Sequence, residues 1–298
     1  MRYAWDPESA LLDRIERTVR RRERAVSYSR YVAIGDSSTE GLDDPDGTGR
    51  HRGWADRFAA HVAGAQPEPL LYANLAVRGL KTREILETQL ERALAMRPDL
   101  ATVFAGTNDI IRRRVDPDAV AADLRTMHRA FHEVGATVLT ITMPDLSRVI
   151  PGAGRLRPRL EAINAATRAI CAETGSLCAD LSRYPGAADP RFWSDDRLHA
   201  NALGHARIAE GLAHRLGLPG FNDSWAVPLP PIPRASMATR LAAELRWMQR
   251  HLLPWLWRHA TDRSSSDGIT AKRPELTLVV ERNAPSRRSF TRDRMIGS

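Results

Sequence analysis

Between residues 31 and 216, five short runs of β-forming apolar residues alternate with five longer amphipathic stretches. The runs are Tyr31 to Ile34, Leu70 to Leu75, Leu100 to Ala105, Thr137 to Thr142 and Ser176 to Leu181. The spacing predicts helices over 54–62, 82–96, 117–134, 156–173 and 201–216. Asp116 before Pro117 is suited to cap one helix start, and Gly217 to stop the last helix. Strands that alternate with helices require crossover connections, which are right-handed and give a parallel sheet. The expected architecture is a three-layer α/β/α sandwich around a five-stranded parallel sheet. In such sheets ligands sit beyond the carboxyl ends of the strands.

Chemistry-bearing residues collect at those ends. Four segments occur in order: Gly35-Asp36-Ser37, Asn74 to Gly79, Gly106-Thr107-Asn108-Asp109, and Asp196-Arg197-Leu198-His199. Together they supply a hydroxyl, backbone and side-chain amide donors, and a carboxylate–imidazole pair, which are the parts needed for acyl transfer through a tetrahedral oxyanion. Each alone has an ordinary reading. Ser37 reads as a turn serine or helix cap, Asn108 as a helix cap and Gly79 as a turn glycine. Asp196 reads as a loop carboxylate, with Asp195 as a rival for any role beside His199. His205 falls inside the last helix and reads as structural, while Asn74, Thr107 and Asp109 read as loop-shaping. The combination, with three of the four segments placed just after strands, favours chemistry.

These four segments resemble the SGNH hydrolases, also called GDSL esterases and lipases. The resemblance spans about residues 29–218 and implies a flavodoxin-like arrangement of the sheet. It implies Ser37 as nucleophile, His199 as base and Asp196, three residues earlier, as the orienting carboxylate. It further implies an oxyanion hole made by Ser37, Gly79 and Asn108. Ser38 stands where the older family name implies leucine. The implied activity is hydrolysis of a carboxylic ester through an acyl-serine, with an acyl-CoA thioester or an acetylated carbohydrate as the nearest alternative substrates. No metal and no organic cofactor is implied. Outside this class, a flavodoxin-like binding module would use Gly35 to Gly41 as a phosphate loop, and a silent interaction protein would use the basic tail. The first leaves Asp196 and His199 unexplained.

The formal net charge of +8 is confined to the flanks. Residues 1–30 hold 8 Arg against 5 acidic residues, and residues 234–298 hold 13 basic against 6 acidic, which leaves the segment between them slightly negative. A nucleic-acid enzyme concentrates basic charge around its active site, so nucleic acid is not expected as a partner. The run Arg112, Arg113, Arg114 reads as a solvated turn rather than an anion-binding rim. Cys171 and Cys178 do not form a zinc pattern and read as reduced core residues. No apolar run reaches the length of a signal peptide core or a membrane span, so the expected location is cytoplasmic.

The organisation read from the sequence is a charged amphipathic helix over 1–28, a catalytic domain over 29–218, a Pro-rich linker over 219–235, an amphipathic helix over 236–260 and a basic, mostly disordered tail over 261–298. The stripe Met237, Leu241, Leu245, Met248, Leu252, Trp255 and Leu256 is expected to pack back on the domain; peripheral membrane contact through this helix is the competing reading. A small-molecule ester is the expected substrate, and the sequence does not determine the oligomeric state.

Overall fold

The computed structural model describes residues 27–112, 114–233, 236–252 and 268–280. The helix expected over 1–28 therefore lies almost wholly outside the described residues, as do Trp255 and Leu256.

The parallel strands are β1 (Arg30–Gly35), β2 (Leu71–Asn74), β3 (Leu100–Phe104), β4 (Thr137–Ile141) and β5 (Leu177–Ala179). Their spatial order is β5-β4-β3-β1-β2, and each neighbouring pair is parallel. The order reverses between β1 and β3, which opens a crevice above their carboxyl ends. The two central strands are the most apolar. Residues 31–35 of β1 and all of β3 are buried, as expected where helices cover both faces.

After β1 comes the single-turn α1 (Ser37–Glu40), followed by α2 (Gly53–Gly64). Then come α3 (Thr82–Ala95), the single-turn α4 (Thr107–Ile110), α5 (Pro117–Glu133), α6 (Arg157–Thr174) and α7 (Ala202–Leu216). Asp116 caps α5 by accepting from the amides of Asp118 and Ala119, and Asn201 caps α7 through Leu203 and Gly204. On one face α2 packs against α7; on the other α5 lies between α3 and α6. Tyr31 anchors the core beneath α2. Its ring stacks on Tyr72 at 4.9 Å, meets Phe58 edge-on at 5.4 Å, and its hydroxyl bonds Thr102 Oγ1 at 2.8 Å. Cys171 and Cys178 are free thiols.

The C-terminal region departs from expectation in two ways. The sheet has six strands, not five. β6 (Arg273–Leu278) pairs antiparallel with β2, pairing Leu71 with Leu278 and Asn74 with Arg273. Residues 273–278 are therefore an ordered edge strand inside the stretch expected to be disordered. The signal is weak because the strand carries Pro274, which only an edge strand tolerates. Half-buried Leu276 and Val279 pack on the core, and Lys272 Nζ donates to the carbonyls of His51 and Arg52 and pairs with Asp56 at 3.0 Å.

The second departure concerns α8 (Met237–Trp247). Met237, Leu241, Leu245 and Met248 are exposed, so this part of the stripe does not pack on the domain. The helix meets the domain through Trp247 and Glu244 instead. Trp247 and Glu244 engage Arg197, while among the described residues the stripe is left exposed. Among the described residues, no helix is long and apolar enough to cross a membrane.

Candidate active site

Ser37 is the first residue of α1, directly beyond β1. Gly35, the last residue of β1, passes so close to β3 that a Cβ would lie 2.6 Å from the Phe104 carbonyl oxygen, so only glycine fits before the turn. Asp36 caps the turn by accepting from the Ser38 amide at 3.0 Å. Gly79 lies between β2 and α3 at φ 82°, a left-handed conformation that favours glycine. Asn108 lies in α4, directly beyond β3. His199 and Asp196 lie on the loop before α7.

The structure brings Ser37, His199 and Asp196 into one line. His199 Nε2 is 2.8 Å from Ser37 Oγ, and His199 Nδ1 is 2.6 Å from Asp196 Oδ2. The other carboxylate oxygen of Asp196 accepts from Ser194 Oγ and from the amides of Leu198 and His199 at 2.6, 2.8 and 2.9 Å. Burial would raise the Asp196 pKa, but the hydrogen bond and charge of His199, with these donors, hold it far below the usual carboxylate range. Burial would lower the His199 pKa; pairing with Asp196, with help from Asp43 and Asp36, raises it above the ordinary imidazole value. Asp195, the rival carboxylate, is exposed.

Asn108 Nδ2 donates to the Leu80 carbonyl at 2.9 Å and, more weakly, to Asp36 Oδ2 at 3.3 Å. Its amide thus faces the Asp36–Ser37 turn. Asn74, Thr107 and Asp109 shape the surrounding loops. Asn74 Nδ2 donates to the Thr39 carbonyl and its oxygen accepts from the Ala76 amide; Thr107 Oγ1 donates to Met143 Sδ; Asp109 accepts from the amide and hydroxyl of Thr82. His205 lies away from Ser37. Its Nδ1 accepts from the Trp54 amide at 3.0 Å, so the proton resides on Nε2, which donates to the Leu42 carbonyl at 2.9 Å. Arg113 lies outside the described residues, and the Arg112 carbonyl accepts from Arg159.

Sequence reasoning missed several neighbours. Asp36 is fully buried, and burial pushes its pKa up to about 7, partly offset by the Ser38 amide. Glu40, 5% exposed, accepts from the Arg78 amide at 2.9 Å and pairs with the Arg78 guanidinium. That pair fastens the chain just before Gly79 to the helix carrying Ser37. The available signal was a glutamate three residues after Ser37 and an arginine directly before Gly79. Asp43 Oδ2 lies 4.0 Å from His199 Nδ1. Asp43, Asp196 and His199 offer ligand atoms within 4.8 Å of one another. A cation there would compete with the proton on His199 Nδ1.

A family model described as the GDSL-like Lipase/Acylhydrolase family matches residues 33–207. No curated protein matches the chain. Among solved structures, the chain is similar to an alpha/beta hydrolase enzyme from the metagenome of Lake Arreo, Spain. That match has 22% identity and a TM-score of 0.54, and covers 64% of this chain and 95% of that one. It is similar to the lipase/acylhydrolase from Enterococcus faecalis at 23% identity and a TM-score of 0.52, over 63% of this chain and 95% of that one. It is also similar to a catalytic mutant of an acetylxylan esterase from Geobacillus stearothermophilus at 19% identity and a TM-score of 0.54, over 67% and 97%. At these identities the likeness is one of fold.

Proposed function

This chain belongs to the GDSL-like lipase/acylhydrolase family, and from that premise we propose that it hydrolyses carboxylic esters through an acyl-serine intermediate. The observation that carries the reading is the line from Ser37 Oγ through His199 to Asp196, at 2.8 and 2.6 Å. Ser37 Oγ attacks the ester carbonyl carbon and its proton passes to His199 Nε2. Asp196 fixes the tautomer with the proton on Nδ1 and stabilises the imidazolium. The N–H groups of Ser37 and Gly79 and the Asn108 amide receive the oxyanion. The long Asn108–Asp36 contact at 3.3 Å is the one an oxyanion would replace. The imidazolium then returns its proton to the departing alkoxide, which breaks the C–O bond and leaves the acyl group on Ser37. Water, deprotonated by His199, attacks that ester; the imidazolium returns the proton to Ser37 Oγ as the acyl–Oγ bond breaks and the acid is released.

Acyl-CoA thioesters and acetylated carbohydrates are the nearest competing substrates for the same chemistry. A panel of nitrophenyl esters and acyl-CoAs of graded chain length tests the reading and ranks these classes. The ester reading expects turnover of short nitrophenyl esters by the wild type and none above background by Ser37→Ala of unchanged fold. Equal rates for the two proteins would reject it.

A further inference from the structure

The catalytic loop is not held by the matched domain alone. Arg197 lies between Asp196 and His199 and has φ 63°, a left-handed conformation that a residue with a Cβ rarely adopts. The turn it creates is one hydrogen-bonded unit. The Arg197 amide donates to the Ser194 carbonyl at 3.0 Å, and the Ser194 amide donates to the His199 carbonyl at 2.8 Å. The same turn brings the amides of Leu198 and His199 onto Asp196 Oδ1. Rotation at Arg197 would therefore move the carboxylate and the imidazole relative to each other. Strain of this kind persists only where surroundings fix it.

Those surroundings come largely from α8. The Arg197 guanidinium donates to Glu244 Oε2 at 2.7 Å and to the Val149 carbonyl at 3.0 Å, and it lies 4.6 Å over the Trp247 ring. The ion pair by itself is weak, because the Glu244 side chain is 42% exposed. Trp247 is buried, and among the described residues its indole Nε1 has no hydrogen-bond partner. What holds the ring in place is packing and its contact with the guanidinium, an interaction that strengthens when water is excluded. In the same helix, Met237, Leu241 and Leu245 are exposed.

We propose that α8, which lies beyond the residues matched by the family model, is a positioning element for His199 and acts through Arg197, with Trp247 and Glu244 making the contact. The inference rests on His199 being the catalytic base. Trp247 and Glu244 touch no reacting atom. They keep the Arg197 turn in the conformation that aligns Asp196, His199 and Ser37.

The experiment compares Trp247→Leu, Trp247→Phe, Glu244→Gln and Leu241→Ala in the full chain. It reads kcat and KM on a short nitrophenyl ester, and His199 titration by NMR. Trp247→Leu is expected to lower kcat roughly 10-fold or more at nearly constant KM, since small misplacements of reacting groups are costly. The His199 midpoint should fall, because its pairing with Asp196 loosens. Trp247→Phe, which keeps an aromatic face, should recover most of both; Glu244→Gln should show a smaller loss. Leu241→Ala, at an exposed position that does not touch Arg197, should leave both unchanged. A folded Trp247→Leu protein with wild-type kcat and His199 midpoint overturns the proposal, as does an equal loss in Leu241→Ala. A wild type that turns over no ester removes only the ester reading, because the His199 titration still tests the helix.

Discussion

The two halves of the site are held by different means. Ser37, Gly79 and Asn108 lie just beyond three neighbouring parallel strands and are tied together by buried polar contacts: Asn74 to Thr39, Asp109 to Thr82, and Glu40 to Arg78. Asp196 and His199 lie on a loop before α7 and are braced from outside by a helix beyond the matched domain. The first half is part of the sheet. The second is a loop whose turn contacts the C-terminal extension through Arg197.

The largest effects should separate the reacting groups from their neighbours in the second half. Asp196→Asn should lower kcat by about 10⁴-fold, because the favoured tautomer of His199 is then lost. Asp195→Asn should leave it nearly unchanged, since that carboxylate is exposed. Steady-state kinetics on the two variants check the order, and the reverse ranking would move the orienting carboxylate by one residue. The pH profile gives the same contrast without mutation. On the proposed mechanism His199 acts as base only when neutral, and its pKa is raised, so kcat/KM should fall on the acid side with a midpoint above the ordinary imidazole value of 6.5.

In the first half the expected losses are smaller. Asn108→Ala should reduce kcat roughly 10²- to 10³-fold with little change in KM, as expected of a donor that acts on the oxyanion. A change in KM alone would make Asn108 a ground-state contact. Glu40→Gln should cost less, because it removes one charge from a clamp whose backbone hydrogen bond can survive.

The smallest effect concerns stability. Burial lowers the pKa of His128 and of His205 to about 4. Between the ordinary value of 6.5 and about 4, the unfolded chain binds these protons and the folded chain does not. Their contribution is therefore present above pH 6.5 and lost as pH falls. Asp36, raised to about 7, works in the opposite direction, since the folded chain binds its proton first as pH falls. His61, also lowered to about 4 by burial, adds to the histidine side, so Tm should drop between pH 7 and pH 4.5. His128→Gln should flatten that slope in a thermal melt; an unchanged slope would show that His128 does not contribute to it.

The sheet and the first half of the site were largely legible because their signals are local. Apolar runs marked β1 to β5, Asp116 and Gly217 marked helix ends, and Ser37, Gly79 and Asn108 fell just after the expected strands. Three features were not legible. β6 carries Pro274 and charged residues, and becomes a strand only because β2 offers an open edge. The exposed stripe of α8 follows from which face finds a partner, and helical periodicity does not say which face that is. The role of Glu40, Arg78 and Arg197 depends on contacts across 38 to 50 residues, which no window of sequence contains.

Intact-mass analysis after treatment with a fluorophosphonate probe, followed by peptide mapping, tests the ester-hydrolase reading most directly. One adduct per chain, located on Ser37, slowed strongly in Asp196→Asn and absent in Ser37→Ala, is the expected result. An adduct on another serine, or none on a folded wild-type protein, would contradict it.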